Sequence, residues 1–124
     1  MRGPAGRPSL GGTDVRSVYR SGTRHVTGVA TVYVLRGERQ GLRVAVAAGR
    51  RLGSAVSRNR IRRRLNEAFR RVEKELRFGA DIVLVAKSGA EAAPFDSLLV
   101  ELRKALLDAG LLAYDGIRNG SNSN

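Results

Sequence analysis

Arginine is the residue type best able to do chemistry in this chain, and it is concentrated in one segment. Residues 50–71 contain nine arginines and one acid, Glu67, which leaves a net charge of +8 out of +12 for the whole chain. A guanidinium is a planar, permanently charged group that binds phosphate oxygens in pairs. The segment therefore predicts a binding site for a polyanion, with RNA or DNA as the natural candidate.

Within this segment, the sequence RNRIRRR at residues 58–64 holds the densest charge. A solvated helix face rich in arginine is the simpler interpretation, but like charges this dense repel one another without a partner. Two residues have further alternatives. Asn59 could fix the local backbone instead of meeting RNA. Arg58 falls near the apolar side of the helix. It could therefore lie at the rim of that side or make a structural hydrogen bond instead of meeting RNA.

Two tyrosines are the best candidates for stacking on unpaired bases. Tyr19 ends a short helical pattern and Tyr33 lies in a β-branched run; packing of the first helix on the sheet is an equally good interpretation. Arg43 opens the next strand and alternates with Ala45 and Ala47. Such small neighbours predict a shallow groove for a single strand, whereas a strand-end charge that reaches water is the alternative.

Other kinds of site are excluded or unsupported. The chain has no cysteine and one histidine, so a disulfide framework and a thiolate or His-based zinc site are excluded. No phosphate-binding loop of the GxxxxGK[ST] type occurs, and the acids are scattered. No apolar run approaches the roughly 20 residues of a membrane span, and no signal peptide is evident. We expect a soluble, intracellular protein without a catalytic apparatus of its own.

The elements that would position these residues follow an α-β-β-β-α-β-α order. A helix over 14–21, capped by Thr13 or Asp14 and stopped by Gly22, comes first. A short strand around 24–27 precedes the strands 29–35 and 42–48, which we expect to form a hairpin through the loop 36–41. Because these runs are apolar on both faces, part of the sheet should be covered on both sides.

The second helix should begin at Ser54 as N-cap and continue to about Arg77. Apart from Ala68, its apolar residues are spaced four, four, three and four apart, which places most of the arginines on the opposite arc. The stripe consists of Ile61, Leu65, Ala68, Phe69, Val72 and Leu76. A strand over 80–87, a linker over 89–94 and a helix over 95–109 complete an α+β two-layer sandwich. We expect a flexible leader at 1–12, one RNA-binding domain at 13–113 and a disordered tail at 114–124.

The block RVAVAAGRRLGSAVSRNRIRRRLNEAF at 43–69 resembles the protein subunit of bacterial ribonuclease P. The diagnostic feature is the RNR motif, Arg58-Asn59-Arg60, followed by more basic residues and a helix that reaches an aromatic. A basic pair and the Gly53-Ser54 step stand before it. The resemblance extends over about 9–112, and its central block is the most specific part.

This resemblance implies a left-handed βαβ crossover, as in a ribosomal-protein domain. It also implies a cytoplasmic bacterial subunit that binds ribonuclease P RNA and precursor tRNA, including its 5′ leader. Catalysis would belong to the RNA, with Mg²⁺ held mainly by RNA groups, and no obligate protein partner or membrane is implied. The implied RNA-binding residues are Arg50, Arg51, Ser54, Arg58, Asn59, Arg60, Arg62, Arg63, Arg64 and Arg70.

The resemblance further implies a leader-binding cleft formed by Val15, Tyr19, Tyr33 and Arg43. Val15 stands where many members carry an aromatic residue. Three rival hypotheses remain: a general RNA-binding or ribosomal protein, a stand-alone nuclease, and a DNA-binding basic helix. The absence of a catalytic motif argues against the nuclease, and a buried stripe that commits one helix face to the fold argues against the DNA-binding helix.

Overall fold

A computed structural model describes residues 10–37, 41–77 and 79–112. The elements are α1 (Gly12–Ser21), β1 (Thr23–Val26), β2 (Ala30–Arg36), β3 (Leu42–Ala47), α2 (Ala55–Glu73), β4 (Ala80–Ala86), α3 (Gly89–Ala92) and α4 (Phe95–Asp108). The α+β class and the order of the main elements are confirmed. Most of the predicted leader and the whole predicted tail lie outside the described residues. Leu10, at the end of that leader, is buried.

The four strands form one sheet in the order β1-β2-β4-β3. Strands β1 and β2 pair antiparallel, as do β2 and β4, whereas β3 pairs with β4 in parallel. The predicted hairpin between β2 and β3 is therefore wrong, because β4 lies between them. The central position suits β4, whose residues 82–84 are all buried, since a strand covered on both faces needs apolar side chains on both.

The unit β3-α2-β4 joins two neighbouring parallel strands through a helix. Its left-handedness stays a prediction that rests on the family resemblance. A short 3-10 turn, Arg50–Leu52, links β3 to α2, and Gly53 follows it with a φ of 114°. That backbone conformation strains any residue with a side chain, which explains glycine at this corner.

The larger core lies on the sheet face that α2 and α4 cover. Its strand residues include Val32, Val34, Val44, Ile82 and Leu84, and its helix residues include Ile61, Leu65, Ala68, Phe69, Val72, Leu98, Leu102 and Leu106. The apolar stripe predicted for the second helix is confirmed, with Leu76 only partly buried beyond the helix end. The stripe thereby fixes which side of α2 can face a partner.

The opposite sheet face carries α1 and a smaller core. Among the described residues, Leu10, Val18 and Val83 are buried in this cluster, with Val15 and Tyr33 among the partly buried residues around them. Helices therefore cover both faces, as the apolar strands predict. This small core holds the tyrosine-bearing helix against the sheet.

The helices differ from the sequence prediction in three main respects. Helix α1 begins at Gly12 without a side-chain cap, so neither Thr13 nor Asp14 is its N-cap. Helix α2 ends at Glu73, four residues before the predicted end. The predicted linker 89–94 contains the helix α3, which is too short to show a helical hydrophobic period.

Candidate nucleic-acid interface

Helix α2 presents its arginines because both its start and its buried side are fixed. The Ser54 side chain accepts a hydrogen bond from the Ser57 backbone N–H at 3.1 Å, so Ser54 is the predicted N-cap. The buried stripe turns the remaining surface of α2 away from the sheet. The Ser54 hydroxyl is thus engaged in the helix start, although the Ser54 residue is exposed.

Three candidate cations have no acidic partner within the described part of the chain. Arg50 and Arg51 lie exposed on the 3-10 turn, and Arg63 lies exposed on α2. Free guanidinium groups in water are ready to bind phosphate with little competition. These three residues are the most accessible part of the predicted RNA-binding set.

Two other arginines of the predicted RNA-binding set form ion pairs with acids on the surface. Arg60 pairs with Glu91 at 3.2 Å and Arg70 pairs with Glu67 at 3.1 Å. All four side chains are at least one-third exposed, and ion pairs in such places contribute little to stability. A phosphate can therefore compete for these guanidinium groups.

The first residues of the RNR motif lie at the edge of the apolar stripe. Arg58 is partly buried, and its Nε atom is buried without a hydrogen-bond partner among the residues described. A buried N–H without a partner is costly, so a ligand or water that accepts this bond would stabilise it. The Asn59 side chain accepts a hydrogen bond from Arg62, which orients both groups.

Arg64 is structural rather than exposed. Its Nη1 donates to the carbonyl oxygens of Ala90 and Glu91 at 2.7 and 2.9 Å. Its Nη2 donates to the Ala93 carbonyl at 2.5 Å. These carbonyls belong to α3 and its C-terminal end, which lacks other helix partners. The helical spacing predicts Arg64 on the arc opposite the apolar stripe. That prediction is correct only in part, because this side of α2 faces α3.

The two tyrosines meet on the other sheet face. Their ring centroids are 4.9 Å apart at an interplanar angle of 88°, an edge-to-face pair. Tyr19 is 44% exposed, and Tyr33 is partly buried. Burial, and secondarily the nearby Tyr33, raises the pKa of Tyr19 above its ordinary value. One accessible ring supported by another is a suitable platform for a base.

Arg43 is not available as a free cation. It forms a two-pronged pair with Asp81, at 2.9 Å from Nε and 2.8 Å from Nη2, and contacts Asp14 at 3.0 Å through Nη1. Its side chain is only 16% exposed. The hydrogen bond to Asp81 raises the pKa of Arg43 above its ordinary value. Arg43 thereby links α1 to the sheet, and its contact with a single strand stays a prediction.

Val15, the fourth predicted cleft residue, packs partly buried against the small core. It therefore supports α1 from beneath, while the accessible surface beside Tyr19 comes from residues that the sequence argument did not single out. Arg24 lies opposite Tyr33 in the sheet register and is exposed. Arg20 follows Tyr19 and is also exposed. Spacing in the sequence did not reveal Arg24, because only the strand register places it beside Tyr33.

A strip of small and branched residues crosses the sheet on the same face. Val26 is opposite Thr31, Thr31 is opposite Val85, and Val85 is opposite Ala47. None is fully buried, and Val26 is 55% exposed. We call these four residues the cross-sheet strip. It ends on β3, three residues before the basic pair on the 3-10 turn.

Metal and membrane sites find no support in the described ranges. Across 10–37, 41–77 and 79–112, no three His, Cys, Asp or Glu side chains come together as a group that could hold a metal ion. The helices of that same part of the chain are too short or too polar to cross a bilayer.

Comparison with known proteins identifies the family. The ribonuclease P family pattern matches residues 11–110. The chain belongs to the ribonuclease P protein family. The ribonuclease P protein component of Symbiobacterium thermophilum is 41% identical over 103 residues, covering 82% of this chain and 89% of the relative. That of Chloroflexus aggregans is 38% identical over 98 residues, covering 78% and 73%.

Solved structures of this family share the fold. The Staphylococcus aureus ribonuclease P protein superposes with a TM-score of 0.72 at 23% identity, covering 84% of this chain and 95% of that one. The Thermotoga maritima protein gives a TM-score of 0.70 at 22% identity, covering 79% and 94%. The predicted family and fold class are thereby confirmed.

Proposed function

We propose that this chain is the protein subunit of a ribonucleoprotein that removes the 5′ leader from precursor tRNA. The exposed basic surface of α2 and the 3-10 turn carries the proposal, because it offers guanidinium groups to folded RNA. Folded RNA is recognised mostly by shape, phosphates and 2′-hydroxyls rather than by base sequence. The chain's relatives are named ribonuclease P protein components, which supports the same assignment.

On the opposite sheet face, the tyrosine pair and the cross-sheet strip would bind the single-stranded leader. Tyr19 offers an exposed ring, Arg20 follows it on the chain, and the exposed Arg24 lies opposite Tyr33 in the sheet register. Base–aromatic stacking contributes about 1–3 kcal/mol per base and tolerates any sequence. The strip leads from this pair toward Arg50 and Arg51, so leader and catalytic RNA would meet at that end of β3.

Hydrolysis in this proposal belongs to the RNA partner. Magnesium ions held by RNA groups would activate the attacking water and stabilise the leaving oxygen. The protein would contribute counter-charge and a binding surface for the leader, both of which reduce the magnesium concentration that the assembly needs.

The decisive experiment is cleavage of precursor tRNA at low magnesium. Three samples are compared: purified protein, a bacterial ribonuclease P RNA, and the two together. We expect only the mixture to cut efficiently at the mature 5′ end. The matched binding measurement compares the mixture's affinity for leader-bearing precursor and for mature tRNA.

Each rival hypothesis gives a different result. Cleavage by protein alone, after removal of all RNA, would reveal an active site in the chain and support the nuclease. A mixture no better than RNA alone, despite tight salt-dependent binding, would support a general RNA-binding protein. Preference for duplex DNA over RNA would support the DNA-binding helix.

A further inference from the structure

Helix α1, which carries Tyr19, packs on the sheet over the smaller of the two cores. Among the described residues, the cluster beneath it contains three buried residues, whereas the larger core on the opposite face contains twenty-one. No side chain caps the N-terminus of α1. Since apolar burial is the main force that attaches a helix, additional contacts have a large influence on where α1 rests.

One such contact is the three-residue ion network of Asp14, Arg43 and Asp81, here called the Arg43 clamp. It joins α1 to β3 and β4, with donor–acceptor distances of 2.8 to 3.0 Å. Arg43 and Asp81 are 16% and 14% exposed, so solvent screens this pair much less than the surface pairs on α2. Asp14 is 42% exposed and supplies the connection to α1.

The position of Asp14 controls the position of Tyr19. The two residues are five apart on α1, about 7.5 Å along a helix axis, so a rigid helix transmits a shift of one to the other. The edge-to-face contact of Tyr19 with Tyr33 depends on both distance and angle. A binding platform displaced by even an ångström loses much of its advantage.

We infer that the Arg43 clamp positions Tyr19 over Tyr33 for recognition of the leader, and that Asp14 is a positioning residue for this step. The inference rests on the proposed function, and it assigns Arg43 a role different from direct contact with the strand. The clamp also explains why the sequence places an arginine and an aspartate opposite each other, at Arg43 and Asp81, on adjacent parallel strands.

The test is Asp14→Ala, which removes the acceptor that links Arg43 to α1 and leaves both bonds between Arg43 and Asp81. The measurement is the leader advantage, defined as the affinity of the assembled ribonucleoprotein for precursor tRNA divided by that for mature tRNA. We expect this ratio to fall about three- to tenfold, as for partial loss of one stacked base. Affinity for the catalytic RNA should remain unchanged. The nuclear Overhauser contact between the two tyrosine rings should weaken.

A compensating variant separates positioning from stability. Asp14→Ala also removes a favourable acid from the first turn of α1. Adding Thr13→Asp restores a first-turn acid at an exposed position about 100° around the helix from the clamp. We expect this double variant to regain thermal stability while its leader advantage stays low.

The control is Glu75→Ala, which removes the pair of Arg103 with Glu75 at 3.0 Å on the other sheet face. It should leave the leader advantage and the tyrosine contact unchanged. Asp14→Ala with an unchanged ratio, or with equal losses for precursor and mature tRNA, would overturn the inference. A wild-type ratio near one would instead contradict the proposed leader-binding function itself.

Discussion

Arg63 and Arg64 are neighbours in the sequence with different surroundings. Arg63 is exposed without an acidic partner in the described part of the chain, whereas Arg64 donates three hydrogen bonds to carbonyls in and just after α3. Because consecutive helix residues differ by about 100° in direction, charge density alone cannot separate the two roles. At this scale, the predicted RNA-binding set divides into accessible, weakly paired and structural arginines.

Substituting these two neighbours should therefore give opposite results. Arg63→Ala should weaken RNA binding and reduce the slope of log affinity against log salt by about one, without changing stability. Arg64→Ala should lower the free energy of unfolding by about 1–3 kcal/mol, because it leaves buried carbonyls without partners. Salt titration of RNA binding and urea unfolding measure the two effects. Equal salt slopes for both variants would contradict the division.

At the scale of elements, the sequence correctly predicted those in which the spacing of apolar residues is regular over a long segment. The stripe of α2 and the runs of β2 and β4 are confirmed because apolar spacing fixes both type and buried face. The pairing of β2 with β4 could not be predicted. Strands β2 and β3 are adjacent in the chain, which favours a hairpin between them, whereas β4, which separates them in the sheet, comes later in the sequence. Helix α3 was missed because Arg64, a distant residue, supplies its C-terminal hydrogen bonds.

The same limit applies to the candidate site. The arginine segment and the two tyrosines follow from residue type, and the structure brings the tyrosines into contact. Arg43 and Arg24 could not be assigned from the sequence, because their neighbours come from strand register and from α1. Their roles depend on contacts between elements, which spacing along the chain does not contain.

The junction of α1 and β1 gives a test at the scale of elements. A Cβ at Gly22 would lie 2.6 Å from the Val18 carbonyl oxygen and 2.7 Å from that of Val34. Gly22→Ala must therefore push α1 away from the sheet, at a cost of about 1–3 kcal/mol. Thermal unfolding measures the change. Gly28→Ala is the control, since open space surrounds that position, and a comparable loss there would contradict the steric explanation.

Across the whole molecule, the two proposed RNA contacts lie on opposite faces of one sheet. Helix α2 packs on the face of Val32 and Leu84, while the tyrosine pair lies on the face of Val83. A single layer of strands separates the surface for catalytic RNA from most of the surface for the leader. In the described part of the chain, β3 on the leader side leads directly into the 3-10 turn that carries Arg50 and Arg51.

This separation predicts independent effects of substitutions on the two faces. Tyr33→Ala should reduce the leader advantage and spare assembly with the catalytic RNA, while Arg63→Ala should weaken assembly only. In the double variant, the two free-energy changes should add to within about 0.5 kcal/mol, as for distant sites. Assembly affinity and the leader advantage are measured for all four proteins. A larger interaction energy would show that the two faces are coupled.

The place of β4 in the sheet has a consequence for synthesis of the protein. Among the four described strands, β4 is the only neighbour of β3 and the inner neighbour of β2, yet it is the last of the four to leave the ribosome. Until it emerges, the arginine-rich α2 has no completed sheet on which to bury its stripe. At about 5–20 residues per second, this interval lasts seconds. During that time, the cationic segment has no completed sheet to pack on, so we expect α2 to dock only after β4 has emerged.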